Sequence, residues 1–402
     1  MEGGVGGQLK ALGKDARSGV LGRILRGDVG YLQVFLALGL IWTVFQLAND
    51  RFLTATNLTN LLLQVTAIGI ISIGVVLVLL LGEIDLSIGA VSGLCAGIMA
   101  VLTVQHGWSP TLAILVGLLA GTAIGLLNGF FNTYFGIPSF VVTLAGLIAW
   151  QGALLLVLGE TGTINLPPSV ITDLTSTFYG AGVGWTLAVV VTAGTFGAGL
   201  FARRRRQRAG LEPSPLAGLV FRTVLVGAAM FIGVAILLSD RGVPLAAIIL
   251  LGLTGLFAFI TQRTRFGRHI YAVGGNAEAA RRAGIRVTRV RVIVFAIGAT
   301  MAGAGGIMAA SRLIAVNQSS GSGDVLLNAI AGPVIAGTSL FGGRGSVWSA
   351  LLGALVIGSI SNGINLLGLE SSVRFMITGG VLLAAVTLDA LSRRRRSAVS
   401  VG

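Results

Sequence analysis

Charged residues are scarce in this chain of 402 residues. Asp, Glu, Lys and Arg make up 10% of it, whereas hydrophobic residues make up 54%. A soluble protein is expected to carry about 25% charged residues, so the composition excludes a soluble globular fold and predicts an integral membrane protein. The glycine-rich, basic first 30 residues lack the apolar core and cleavage site of a removable signal peptide. We therefore expect the first span to remain as an anchor.

Residues for metal or covalent chemistry are equally scarce. A single cysteine, Cys95, excludes an intrachain disulfide and a metal site built on thiolates, and the two histidines lie in different predicted loops. The nearest approach to a phosphate-binding loop, at Lys14, has Asp15 where that loop needs serine or threonine. The sequence predicts neither an enzyme nor a metal or cofactor bound by this chain.

Twelve apolar runs approach the roughly 20 residues that a membrane helix needs. They lie at 31–48, 58–81, 86–104, 111–131, 138–158, 185–202, 219–238, 244–261, 291–310, 326–340, 347–367 and 373–391. The tenth run is short and contains Pro333, which is typical of a broken or re-entrant element. We expect an all-α polytopic bundle of about 12 spans, within a range of 10 to 12.

Basic residues are distributed very unevenly along these runs. With the N-terminus inside, 24 of the 28 Lys and Arg residues fall in cytoplasmic segments, which predicts cytoplasmic N and C termini. The net charge of +14 is then a topology signal and does not indicate nucleic acid. The predicted organisation is a tail at 1–30, a transmembrane domain at 31–391 and a basic tail at 392–402. Within the domain we expect a cytoplasmic linker at 203–218 and a cytoplasmic loop at 262–290.

That cytoplasmic loop contains one predicted short helix, at 276–284. Asn276 is a good N-cap, Glu278 can pair with the two arginines that follow it, and Gly284 can end the helix. One face has almost no bulk and consists of Ala279, Ala280 and Ala283. Because a helix this short is marginal alone, another surface must hold it.

Two carboxylates stand out in "GEIDLSIGA", residues 82–90. Glu83 and Asp85 lie between two spans with no basic residue nearby in sequence, and carboxylates at membrane depth are functional candidates for gating, coupling or proton transfer. The alternative is a tight turn in which Asp85 caps a helix that begins near Leu86.

Small and polar residues inside the spans allow two interpretations each. Glycines 117, 121, 125 and 129 recur every four positions, which favours close helix packing. Polar side chains in or near spans could bind a polyol along a translocation path or bond neighbouring helices; they are Gln64, Asn128, Asn132, Gln151, Asn328, Asn362 and Asn365.

Four stretches in order resemble one family, the membrane subunits of bacterial ABC importers for monosaccharides. They are "GEIDLSIGA", "NGFFNTYFGIPSFVVTLAGL" (128–147), "YAVGGNAEAARRAGI" (271–285) and "GTSLFGGRGSVWSALLGALVIGSISNGINLLG" (337–368). Ala336 replaces a glycine of the family pattern. The basic linker, an added pair of spans and "LLSDRGVP" (237–244) are most similar to the D-xylose type.

This resemblance implies a permease that moves a monosaccharide, D-xylose or a related pentose or hexose, into the cytoplasm across a bacterial plasma membrane. Its implied partners are an ATPase subunit, an extracytoplasmic sugar-binding protein, a second copy of the chain and membrane lipid. The ATPase subunit has two nucleotide-binding domains and holds ATP and Mg. Nucleic acid is not an implied partner. The short cytoplasmic helix would dock on the ATPase through Gly275, Asn276, Ala277, Glu278, Ala279, Ala280, Arg281, Arg282 and Gly284. The alternative is a proton-coupled secondary sugar transporter that relies on Glu83 and Asp85.

Overall fold

The computed structural model describes residues 29–213, 215–370, 372, 373, 375–380, 383 and 387. Residues 1–28 of the predicted first tail, all of the predicted second tail and most of the predicted last span lie outside the described residues. Ten helices form the main body: α1 (Val29–Ala48), α2 (Ala55–Leu80), α3 (Ile88–Val104), α4 (Pro110–Tyr134), α5 (Ser139–Leu158), α7 (Ala181–Arg208), α8 (Leu216–Leu238), α9 (Leu245–Arg263), α12 (Val287–Leu313) and α14 (Trp348–Leu366).

Shorter elements connect these helices. They are α6 (Val170–Ser176), α10 (Arg265–Gly275), α11 (Ala277–Arg282) and α13 (Asp324–Ile335). Two small antiparallel strand pairs were absent from the all-α prediction: β1 (Thr163–Asn165) with β4 (Ala315–Asn317), and β2 (Phe178–Tyr179) with β3 (Val243–Pro244). Each strand contains only two or three residues, too few to show an alternating pattern in the sequence. These strands form because they pair with segments that are distant in sequence.

Among the described residues, eight helices are long and apolar enough to cross a membrane, and Val34–Ala48 of α1, α3 and α13 are shorter apolar helices. Each of the first eleven predicted spans therefore overlaps a helix among the described residues, but three of these helices are shorter than a full span, so the count of 10 to 12 spans stays a prediction. The tenth predicted span ends early: α13 stops at Ile335 and contains Pro333. Its 12 residues rise about 18 Å, which is less than the roughly 30 Å of a hydrocarbon core.

The centre of the bundle is formed by α2 and α12. Both are apolar around most of their circumference, which is typical of a helix surrounded by protein. The backbones approach closely because glycines face each other: a Cβ on Gly74 would lie 2.6 Å from the carbonyl oxygen of Gly298. The glycine stripe of α4 packs against α12 as predicted, since a Cβ on Gly121 would lie 2.8 Å from the carbonyl oxygen of Ala299.

The two ends of the bundle can be told apart by the residues that contact each end of α2. At the start of α2, Thr56 donates to Asp240 Oδ1 over 2.9 Å and Arg241 donates to Asn60 Oδ1 over 2.6 Å. At its other end, the carbonyl of Leu80 meets the loop after α13, and α10 and α11 lie nearby. The loop at 262–290, which contains α10 and α11, is thus at the opposite end of the bundle from Arg241.

The pair α7–α8 lies at the periphery. Its small core of Ala188, Val234 and Val243 is separate from the main clusters, and most of its large apolar side chains are exposed. Of the predicted linker at 203–218, the arginines at 203–206 and 208 lie in the last turns of α7. This pair adds apolar surface to the bundle without entering its core.

Candidate functional site

The predicted surface helix is present as α11. Asn276 caps it, accepting a hydrogen bond from the Ala279 backbone N–H over 2.9 Å, and Gly284 ends it with a φ of +84°. Glu278 pairs with Arg281 over 2.8 Å and with Arg282 over 3.3 Å. The exposed surface consists of Gly275, Asn276, Glu278, Ala279, Arg281, Arg282, Ala283 and Gly284, with Ala277 half-buried.

The predicted small face of α11 is wrong at one position. Ala280 is only 4% exposed and belongs to the main hydrophobic core, next to residues of α10 and α12. It therefore fixes α11 to its own chain and is not available to a partner. Ala279 and Ala283 remain exposed.

The helix that precedes α11 was not recognised from the sequence. Thr264 caps α10 by accepting a hydrogen bond from the Gly267 N–H over 3.1 Å. Gly267, Ile270 and Val273 face the protein, and the spacing of Ile270 and Val273 with Phe266 is the helical apolar period that would have revealed it. Because α10 is buried on one side, it gives α11 the support that its length does not.

An open cavity of about 650 Å³ lies beside α11, between the end of α4 and the start of α12. Its lining includes Arg281, Arg286 and Arg289 together with Tyr134, and no acidic residue. A partner seated at this surface would meet positive charge.

The carboxylates of residues 82–90 have different surroundings from those predicted. Glu83 forms an ion pair of 3.0 Å with Arg291 in the first turns of α12, and both side chains are largely buried. The expectation that no basic residue lies nearby was thus wrong in space, although it is correct along the sequence.

Asp85 is 3% exposed, and its Oδ1 accepts hydrogen bonds from the Ser87 backbone N–H over 2.9 Å and from the Ser87 hydroxyl over 2.6 Å. The capping prediction was wrong in detail, because α3 begins at Ile88 and Ser87 is the residue before it. Asp85 instead forms a turn with Ser87, two residues before that cap position. Its Oδ2 is buried without a hydrogen-bond partner.

One of the two predicted path asparagines of α4 joins this region. Asn128 donates to the Ser87 hydroxyl over 3.1 Å, and Asn132 donates to the Ile137 carbonyl over 3.0 Å. Asn128 of α4 is therefore bonded to the segment that contains Glu83 and Asp85, whereas Asn132 bonds to the turn that follows α4.

The other path candidates lie elsewhere. Asn328 is buried in α13. Asn362 of α14 forms a reciprocal amide pair with Asn57 of α2, over 2.8 Å and 3.0 Å. Asn365 is exposed near the end of α14. The two carboxylates and the five asparagines thus do not form a single cluster.

Metal-binding clusters of three or more His, Cys, Asp or Glu residues are absent from the part of the chain that the structure describes. Cys95 of α3 is fully buried against α4 and α12.

The polar groups around residues 82–87 bond mostly to one another and to backbone. This arrangement is suited to holding an irregular segment inside a helical bundle.

Similarity to known proteins assigns this arrangement to a family. A sequence profile described as "Branched-chain amino acid transport system / permease component" matches residues 57–386. The chain belongs to this permease family. It is a multi-pass membrane protein, in agreement with its eight apolar helices among the described residues.

Individual relatives cover nearly the whole chain. The xylose transport system permease protein of Escherichia coli (strain K12) is 37% identical over 90% of this chain and 93% of that protein. The corresponding xylose protein of Haemophilus influenzae is 35% identical over 90% and 98%, and the ribose import permease protein of Bacillus subtilis is 32% identical over 92% and 95%. No solved structure matches significantly.

Proposed function

We propose that this chain is the membrane subunit of an ABC importer that moves xylose or a related monosaccharide into the cytoplasm. The observation that carries the proposal is the surface formed by α10 and α11. The short helix α11 exposes the small side chain of Ala279 beside charged Glu278 and Arg282, and α10 holds it at the surface. The sequence itself has no nucleotide-binding motif, so ATP must be hydrolysed by another subunit. The sugar assignment follows relatives that are named for xylose and ribose transport.

The proposed partners follow from this division of labour. ATP and Mg belong to an ATPase subunit with two nucleotide-binding domains, and a sugar-binding protein delivers the substrate from outside. A second copy of this chain and membrane lipid complete the assembly. The basic surroundings of α11 favour an ATPase surface that carries acidic side chains, because like charges would oppose docking.

A proton-coupled carrier remains the competing function, and the surroundings of Glu83 weigh against it. Glu83 is paired with Arg291, so protonating it would leave a largely buried arginine without its counter-charge. That arrangement favours a structural role for Glu83.

The decisive experiment is uptake of labelled xylose by proteoliposomes that contain this chain, its ATPase and its binding protein. We expect uptake only when all three proteins and ATP are present. Uptake by this chain alone, driven by a proton gradient, would overturn the proposal.

The docking surface is tested in the same vesicles with Ala279→Trp. Bulk at this exposed position should separate the ATPase from the membrane subunit and abolish uptake, whereas Ala209→Trp, at an exposed position of the linker, should leave both unchanged. Full uptake by the Ala279→Trp variant would refute docking through α11. Ala280→Trp is unsuitable because it would disturb the core.

We also propose that the end of the bundle with α10 and α11 faces the cytoplasm, with both chain termini on that side. The distribution of basic residues supports this orientation. An impermeant thiol reagent added to intact cells should label a cysteine at exposed Ser319 and leave Gln207→Cys and Arg282→Cys unlabelled. Reversed labelling would exclude ATPase docking at α11.

A further inference from the structure

Three backbone segments meet without intervening side chains at the end of α2. The Gly343 N–H donates a hydrogen bond of 2.9 Å to the carbonyl of Leu80. Gly274 of α10 lies against the same carbonyl, and a Cβ added to Gly274 would collide with it and lie 2.8 Å from the Gly343 nitrogen. A Cβ on Gly342 would lie 2.7 Å from both the Gly274 oxygen and the Gly82 nitrogen. We call Gly274, Gly342 and Gly343 the glycine junction.

Polar contacts reinforce the glycine junction from both sides. The Tyr271 hydroxyl of α10 donates to the Gly345 carbonyl over 2.9 Å. The ion pair between Glu83 and Arg291 fixes the segment after α2 to the start of α12. Each element at the junction is therefore held by at least one directional contact in addition to close packing.

Each of the three segments leads to a different part of the molecule. The end of α2 continues into residues 82–87, the extended segment that contains Asp85. The loop with Gly342 and Gly343 connects α13, the helix too short to cross a membrane, to α14. The third segment, α10, leads directly into α11, the proposed docking helix. The junction thus joins the docking surface to two irregular elements within the bundle.

Packing at the junction leaves little capacity to absorb motion. Flexible side chains between two elements can change rotamer when one element moves, whereas backbones in van der Waals contact must move together or separate. A displacement of α10 should therefore be passed to residues 82–87 and to the loop after α13.

We propose that the glycine junction transmits movement of α10 and α11 to these two elements, and that Gly274 is a positioning residue for coupling ATP hydrolysis to sugar transport. This inference rests on the proposed function. It concerns transmission, which is separate from docking, because half-buried Gly274 packs against the Leu80 carbonyl and Gly343 of its own chain, whereas the docking surface on α11 is exposed.

The test is Gly274→Ala, with Gly252→Ala in α9 as its matched control. Both are helical positions, and alanine raises helix propensity at each. A Cβ at Gly252 meets nothing within 4 Å, and this residue belongs to neither the docking surface nor the glycine junction. We expect Gly274→Ala to bind the ATPase normally but to lose about tenfold of the ATP hydrolysis that sugar-loaded binding protein stimulates. Gly252→Ala should keep stimulation near that of the unmodified protein.

If Gly274→Ala fails to assemble, Tyr271→Phe tests transmission through the junction, because Tyr271→Phe removes only a hydroxyl. We expect normal ATPase binding with a clear loss of stimulation. Transmission through the junction would be overturned by the following pair of results. Tyr271→Phe leaves stimulation unchanged, and Gly274→Ala either keeps normal stimulation or loses ATPase binding. Failure of the unmodified chain to support ATP-dependent uptake would instead overturn the proposed function, so the two failures are distinguishable.

Discussion

Helices α8 and α12 are similarly long apolar segments, yet their surroundings differ completely. Of the most apolar part of each helix, 11% is buried in α8 and 61% in α12. The difference lies in where small residues face: glycines of α12 meet the backbones of α2, α3 and α4, whereas Gly233 of α8 has open space around its Cβ position. Apolar composition indicates a membrane helix, but close-approach glycines determine whether its neighbours are protein or lipid.

The same contrast separates functional candidates from the periphery. Nearly all of the predicted path and coupling residues lie on or beside α2, α4, α12 and the elements that contact them. The pair α7–α8 contains none of them. We therefore expect substitutions in the central group to affect folding and transport, and matched substitutions in the peripheral pair to affect neither strongly.

The largest expected effect is that of Gly305→Val in α12, compared with Gly233→Val in α8. A Cβ at Gly305 would collide with Ile71 and lie 2.7 Å from the Ala67 carbonyl oxygen. Overpacking against backbone should lower the free energy of unfolding by about 3 kcal/mol or more. At Gly233 the change should stay below about 1 kcal/mol. Denaturant titration of the purified chains in detergent provides the measurement, and equal losses would contradict the contrast between the two regions.

Local signals in the sequence account for what could be predicted. The spans follow from apolar runs, and α11 follows from Asn276, Glu278 and Gly284, all of which act on neighbours within a few residues. The same reasoning missed α10 because its charged residues masked a short apolar period in a loop.

Contacts between distant segments account for what could not be predicted. Arg291 reaches Glu83, and Ala280 faces the core, only because the helices between them pack in a particular arrangement. The early end of α13 was indicated by Pro333, but its position against α2 and α14 was not. The glycine junction depends on three segments, so no single stretch of sequence reveals it.

A smaller effect is expected for Asn362→Ala, which tests whether this residue belongs to the packing of the central group. Removing its side chain leaves Asn57 Oδ1 without the hydrogen bond that Asn362 donates over 3.0 Å. The loss of unfolding free energy should be about 1 to 2 kcal/mol, whereas Asn365→Ala, at an exposed position, should stay within about 0.5 kcal/mol. If Asn362→Ala alters uptake without altering thermal stability, Asn362 lines the translocation path.

The smallest effect is expected for Asp85→Asn, although Asp85 is only 3% exposed. Asparagine keeps an Oδ1 that can accept both hydrogen bonds from Ser87, so the turn before α3 should persist. An amide cannot release a proton, so a proton carrier at this position would lose coupled uptake completely. We expect ATP-dependent uptake within about twofold of the unmodified protein, unchanged when an uncoupler dissipates the proton gradient. Glu83→Gln should lower stability because Arg291 loses its counter-charge, but it should retain substantial uptake, because its side-chain oxygen can still accept a hydrogen bond from Arg291. If both variants assemble normally but lose uptake, and uptake by the unmodified protein collapses with the gradient, the carboxylates move protons and the competing function is correct.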